Sequence, residues 1–538
     1  MEPSRPTLRI LTPLLLAIML VVGLYVGRGM ADGDGGQQVR FLSRGKEPSE
    51  KIGQVLDLLD RQYVDTVRKQ ELVEEVIGEL LHRLDPHSYY ISAAELRAAQ
   101  EPLEGSFEGI GVEFTIQNDT VVVIAPVEGG PSEALGIRAG DRIIAADGKP
   151  LAGIDIANKD VMDRLRGPGG SKVTVSILRN GKKKPFDVTI QRGKIPINSV
   201  AASFMTDDKV GYIKLVRFAR TTHAEFMKSS RELLDRGMER LVLDLRGNGG
   251  GFLDQAILLA DEFLPAGQMI VYTVGRMHPR KDDVAKAGGS LEQLPIAVLI
   301  DEGSASASEI VAGAVQDNDR GVLVGRRSFG KGLVQEHIML PDSSAVRITT
   351  ARYHTPSGRS IQRPYGEGVD YDDDFEQRYL NGELLNADSI HFDSTQVYHT
   401  RSGRIVYGGG GIMPDIFVPS DTSDGSSYLN QLFYTGVLGQ FTFQVADRDR
   451  TRLEAYGNAN PYVARCLVGH DVLKDLEAFA KEQGIKPDPA GLARSRDPLA
   501  IRLKAGIARN VWGSAAYYGI LLKTDSIFIR GHQVLTKP

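Results

Sequence analysis

Three serines stand two apart in the stretch GSASASEIVAGAVQD, residues 303–317: Ser304, Ser306 and Ser308. A serine hydroxyl becomes a nucleophile when a base removes its proton and donors wait for the oxyanion. Ser306 and Glu309 fit the S-x-x-E capping box, in which the serine accepts from an amide three residues on and the glutamate reaches back. This sets a helix start at Ala307, with unpaired amides and the positive end of a helix dipole beside Ser306. Cap and nucleophile call for the same geometry, so the motif alone leaves both open.

A base for such a serine is offered by GRRSFGKGLVQ, residues 325–335, where Lys331 lies between two glycines at a strand exit. Lysine accepts a proton only when neutral, which requires burial or cationic neighbours to lower its pKa by about 3 units. Gly330 and Gly332 let the backbone bring the amine close to another loop. Taken alone, Lys331 equally fits a surface lysine on a glycine turn. A third element is LDLRGNGGG, residues 243–251. Its glycines follow a buried strand, and its amides face the carboxyl edge of a sheet, where α/β proteins bind ligands. The spacing matches neither the dinucleotide nor the Walker pattern. An oxyanion hole shared between this turn and Ala307 accounts for it with fewest assumptions.

Composition narrows the chemistry. The 538-residue chain has a formal net charge of −5 and is 42% hydrophobic and 25% charged. A basic excess is missing, and Lys182–Lys184 beside Gly181 read as a solvated hairpin tip, so no nucleic-acid partner is expected. The single cysteine, Cys466, forbids an intramolecular disulfide and reads as a small core residue. No H-E-x-x-H occurs and the ten histidines are scattered, so no metal or other cofactor is expected.

The elements that must position these residues follow from periodicity. Residues 8–27 are almost unbroken apolar sequence, about a bilayer core in length. Arg5 and Arg9 precede them, which favours a cytoplasmic N-terminus. A signal anchor over 1–31 is therefore expected, with a cleaved signal peptide as the competing reading, then a Gly-rich linker over 32–47. Residues 48–101 show helical spacing. Short β runs broken by turns fill 102–195, with helical patches at 131–136 and 156–167. Strands and helices alternate over 196–420, the rhythm of a mostly parallel, buried sheet. Residues 421–538 are helical and read as a packing or dimerising extension.

Taken together and in order, these pieces resemble the C-terminal processing peptidases, or tail-specific proteases, of the S41 serine protease family. The resemblance covers roughly residues 48–420. It rests on LDPHSYYIS (84–92), GIGVEF, GIRAGDRIIAADGKPL, LDLRGNGGG, GSASASEIVAGAVQD, GRRSFGKGLVQ and YHTPSGRSIQ. It implies a multidomain α/β and β fold: a PDZ-like β domain placed before a βαβ protease core of the ClpP/crotonase-like kind, with N- and C-terminal helical regions.

The resemblance further implies that Ser306 is the nucleophile, that Lys331, 25 residues later, is its base, and that Gln335 orients the lysine. It gives the oxyanion hole to the amides of Ala307 and Gly251. The loop Gly109, Ile110, Gly111 and Val112 would receive a peptide's terminal carboxylate, and the following strand edge would accept the peptide as an added strand. Expected partners are proteins with unstructured C-terminal tails, the membrane through the anchor, and a second copy through the helical regions. The catalytic part would face the periplasm or cell envelope. A catalytically silent PDZ scaffold and a ligand-binding protein of related fold are the competing readings.

Overall fold

The computed structural model describes Met19 and residues 48–537, apart from 367, 372, 392 and 466–469. The expected anchor (Met19 apart), the linker at 32–47 and Cys466 thus lie outside the described residues. Among those described, no helix is long and apolar enough to cross a membrane. The chain divides into two compact units, residues 1–76 and 77–538. In the first, the helix Pro48–Gln62 leaves Ile52, Val55 and Leu58 exposed, and its Asp57 pairs with Lys69 at 2.7 Å.

In the second unit, helix α1 (Ala93–Glu104) is capped by Ser92, whose hydroxyl accepts from the Glu95 amide. The β domain follows. Its strands β1 (Val112–Gln117), β2 (Thr120–Pro126), β3 (Arg142–Ala146), β4 (Lys172–Leu178) and β5 (Phe186–Gln191) pair antiparallel in that order. Alternation sets the buried face: Val173, Val175 and Ile177 of β4 point inward while their neighbours do not. Helix α2 (Asn158–Leu165) adds Val161 and Leu165 to that core. The outer edges of β1 and β5 have no partner strand among the described residues.

The next layer is the expected parallel sheet. Strands β6 (Val200–Met205), β7 (Val210–Leu215), β8 (Arg240–Asp244), β9 (Ile296–Ile300) and β10 (Val322–Gly325) run in order. Only the β6–β7 pair is antiparallel. Every residue of β7 and β9 is buried, as a sheet covered on both faces requires. Helices α3 (Thr222–Asp235), α4 (Leu253–Asp261) and α5 (Ala307–Asp317) pack on one face.

A second, antiparallel sheet stands beside it, which the βαβ rhythm did not foretell. It joins β11 (Leu333–Met339) and β12 (Ala345–His354) to the strands Tyr89–Ile91, Met269–Val274 and Lys281–Val284. Strand β13 (Ile416–Phe417) then closes the parallel sheet beside β10.

The C-terminal helices include α6 (Val437–Arg448) and α7 (Arg496–Leu521), which share a core of their own through Phe441, Leu499 and Leu503. Helix α7 is broken at Gly513, where φ is 80°. The last helix, α8 (Ser526–Thr536), covers the other face of the parallel sheet. Ile527 and Phe528 meet Tyr212, Val242, Leu299 and Val324 there. Asp525, its cap, accepts from Arg246 at 2.9 and 2.8 Å. Against the cost of burial, Arg246 and Lys214 hold the Asp244 carboxyl well below the usual carboxylate range. The end of the chain, read from the sequence as an appendage, is therefore part of the packing that supports the sheet.

Candidate active site

The serine loop joins β9 to α5, and two of its three hydroxyls are spent as donors to backbone carbonyls. Ser304 is fully buried and donates to the Leu245 carbonyl at 2.9 Å. Ser308 is fully buried and donates to the Asn248 carbonyl at 2.8 Å. With Ala305 N donating to the same Asn248 carbonyl at 3.0 Å, these bonds fasten the serine loop to the glycine turn. Ser306 instead lines a cavity of about 550 Å³, together with Ala307, Gly251, Gln335, Arg347 and Tyr353.

Ser306 sits at φ 56°, ψ −112°, a strained backbone for a residue with a side chain. The strain is held by Glu309, whose Oε2 accepts from Ser306 N at 2.8 Å, the reach-back expected of the capping box. The reciprocal half of the box is present as well, the Ser306 side chain facing the Glu309 amide, which also bonds to the Ser306 carbonyl at 2.9 Å.

The glycine turn is packed so closely that side chains would not fit. A Cβ on Gly250 would stand 2.8 Å from Ser306 Cβ, and one on Gly251 only 2.1 Å from the Phe218 carbonyl oxygen. Gly250 uses its amide on Asn248 Oδ1 at 2.9 Å. The amides of Gly251 and Ala307 have no acceptor among the described residues, and both residues line the cavity with Ser306. Two donors without acceptors among the described residues thus share the cavity with the Ser306 hydroxyl.

Lys331 does not itself line the cavity, but two atoms tie it to Ser306. Glu309 Oε2 accepts from Lys331 N at 2.9 Å as well as from Ser306 N. The two amide nitrogens converge on one oxygen, so their separation cannot exceed the sum of the two bonds. The Tyr353 hydroxyl reaches the Lys331 carbonyl at 2.6 Å and the Ser306 carbonyl at 3.2 Å. A lysine's four-carbon stem covers such a span. Its amine has no carboxylate within ion-pair distance among the described residues. Burial, then the positive charge of Arg347, lowers its pKa from 10.5 to about 8.

Glu309 is itself fully buried and accepts four bonds, the other two from Gly330 N at 2.7 Å and Ser328 Oγ at 2.5 Å on Oε1. Burial pushes its carboxyl upward, and these donors pull the other way. Gln335 is brought to the same cavity, but its amide nitrogen goes to the His87 carbonyl at 2.7 Å. No hydrogen bond joins it to the Lys331 amine. The link is to the segment LDPHSYY, where Asp85 accepts from His87 N, Ser88 N and Ser88 Oγ at 2.8, 2.9 and 2.6 Å. His87 meets the Tyr371 hydroxyl at 2.9 Å, and burial, then Lys331, lowers its pKa to about 4. It is neutral at ordinary pH.

Sequence reasoning missed Arg347, Tyr353 and the bridging part of Glu309. Glu309 was in view as a cap partner and Tyr353 as the first residue of YHTPSGRSIQ. Arg347 sits on a strand with no local signal. The loop Gly109–Val112 enters β1, with Gly111 at φ 75°. Ser132 N and Oγ hold the Ile110 carbonyl at 3.1 and 2.6 Å, while the amides of Ile110 and Gly111 have no acceptor among the described residues.

Comparisons with known proteins bear on the family and the domains. The peptidase family S41 model matches residues 209–374, and the PDZ domain model matches 109–190. A family of unknown function matches 428–513. The carboxy-terminal-processing protease of Bartonella bacilliformis is 39% identical over 320 residues, covering 58% of this chain and 72% of that protein. The carboxy-terminal processing protease CtpB of Bacillus subtilis is 33% identical over 350 residues, 63% of this chain and 72% of that one. Among solved structures, the photosystem II D1 C-terminal processing protease is 28% identical, covering 69% of this chain and 94% of that chain with a TM-score of 0.35. A PDZ domain ahead of a mixed α/β core that matches the S41 peptidase model, with relatives that are carboxy-terminal-processing proteases, marks a serine-type peptidase. The chain belongs to peptidase family S41.

Proposed function

We propose that the protein is an endopeptidase that cleaves proteins near their C-termini, using Ser306 as nucleophile and Lys331 as base, with the PDZ domain capturing the substrate tail. The observation that carries this reading is the shared Glu309 oxygen that holds the backbones of Ser306 and Lys331 together, while the half-buried lysine has no carboxylate within ion-pair distance among the described residues. The neutral amine takes the proton of Ser306 Oγ as that oxygen attacks the scissile carbonyl. The amides of Gly251 and Ala307 receive the oxyanion, where one donor is worth roughly 10²- to 10³-fold in rate. The lysine then gives its proton to the leaving amine. Water, deprotonated by the same lysine, clears the acyl-enzyme. Gln335 acts at one remove, fixing the LDPHSYY segment against β11.

The tail enters as a strand on the free edge of β1, its terminal carboxylate on the amides of Ile110 and Gly111. Residues 8–27 anchor the chain, with the peptidase on the envelope side, as Arg5 and Arg9 favour. The exposed Ile52, Val55 and Leu58 suit self-association through the N-terminal helices. The test is digestion of a peptide with a disordered, free, apolar C-terminus. Ser306→Ala and Lys331→Ala each abolish cleavage with folding intact. Cleavage that survives Ser306→Ala and stops in Ser304→Ala refutes the assignment. Tail binding without cleavage by the native protein would favour the scaffold reading.

A further inference from the structure

Beside the free edge of β1 lies a second cleft, of about 470 Å³, whose opposite wall is the C-terminal helical region. Glu113 and Thr115 of β1 line one side. Phe443 of α6 and Arg502, Arg509 and Tyr517 of α7 line the other. The two walls are joined: Gln117 Nε2 donates to the Gln440 carbonyl at 3.3 Å, and Arg142 pairs with Asp447 at 3.3 Å. Both cleft arginines lie over rings, Arg502 5.5 Å from the Phe433 centroid and Arg509 5.9 Å from that of Tyr517. Neither has a carboxylate within ion-pair distance among the described residues. With Glu113 counted, the cleft carries one excess positive charge.

A peptide paired with β1 alternates its side chains as β1 does. Val112, Phe114 and Ile116 pack against the domain core that α2 completes. Side chains of the added strand on that face go the same way. The terminal residue and the one two before it fall there when the carboxylate sits on the Gly109–Val112 loop. The intervening residues, one and three before the terminus, project to the face of Glu113 and Thr115, toward the cleft.

We infer that the C-terminal helical region is the second wall of the peptide site, and that its cleft receives these intervening side chains and selects acidic ones through Arg502 and Arg509. The inference rests on tail capture by the PDZ domain, and the experiment separates the two. Ten-residue fluorescent peptides ending in a free alanine carry either Glu or Lys at both intervening positions. Their binding to the full chain carrying Ser306→Ala is read by anisotropy. The Glu peptide binds about tenfold more tightly at low salt, the scale of two exposed charge pairs made against two repelled. That preference vanishes in R502Q/R509Q. The single R509Q, at the exposed rim, halves it or more and serves if the double variant does not fold. Equal binding of the two peptides, or a preference unchanged in either variant, overturns the inference while leaving tail capture standing. If neither peptide binds, or an amidated terminus binds as well as the free acid, tail capture itself fails and the inference with it.

Discussion

Replacing Arg347 tests the proposed chemistry at its most demanding point, the neutral lysine. With a pKa of about 8 in place of 10.5, the unprotonated share of Lys331 at pH 7 is about 9% rather than about 0.03%, a gain near 300-fold. Burial supplies the largest part and the positive charge of Arg347 the next. The native kcat/KM is therefore expected to rise tenfold per pH unit below 8 and to level above it, since that parameter reports the free enzyme's base. Arg347→Gln keeps most of the side chain's volume and removes the charge. The inflection then moves to higher pH, short of 10.5 because burial remains. Activity at pH 7 falls, by less than the 300-fold ceiling, and returns to near the native plateau at high pH. Arg347→Lys keeps the charge and leaves the inflection in place. The assay is kcat/KM for a quenched-fluorescent tail peptide from pH 6 to 10.5. A profile that only sinks, with its inflection unmoved, would show that Arg347 shapes the cavity without tuning the base, and the electrostatic argument would be wrong.

The other expectations are shorter. Glu309→Gln cannot accept four bonds, so buried amides of Ser306, Gly330 or Lys331 lose a partner; each costs about 1–3 kcal/mol, and both denaturant midpoint and peptidase activity fall. Gly251→Ala drives a methyl into the Phe218 carbonyl and withdraws one donor, so activity drops by about 10² or more while tail binding to the PDZ domain persists. Ser304→Ala loses the buried bond to Leu245, costs about 1 kcal/mol in urea unfolding and keeps the nucleophile working.

What the sequence disclosed of the site is what can be written locally. Ser306 is legible because a strand exit, a small-residue helix and S-x-x-E fall within a dozen residues. The amides of Ala307 and of the glycine turn follow from a helix start and the turn itself, while Gly251 is singled out within that turn only by the family resemblance. The β domain was legible by alternation, and the expected helix at 156–167 stands at Asn158–Leu165. The parts not foretold are those that depend on what lies opposite. Gln335 meets His87 from 248 residues away, and nothing in its own neighbourhood says that it anchors the LDPHSYY segment. The antiparallel sheet pairs Tyr89–Ile91 with β12, again across the whole core. Helix α8 shows an apolar face, but only the fold reveals that this face closes the parallel sheet.

The same distinction bears on the proposed role of Lys331 as base. A turn lysine on a glycine-flanked loop would sit in water at 10.5 if nothing fixed its backbone. Here Glu309 and Tyr353 hold that backbone by both its amide and its carbonyl, and Arg347 stands near the amine. The depressed pKa costs the folded state about 3 kcal/mol at pH 7, because the unfolded chain keeps the proton more readily. Between pH 8 and 10.5 the unfolded state binds the extra proton, so this cost shrinks as pH rises. Lys331→Met removes the cost altogether. It is expected to raise the melting temperature at pH 7, and by less at pH 10, while ending cleavage. A fall in stability at both pH values would mean that the amine is solvated or paired in the folded protein, and that no strained neutral base is stored there.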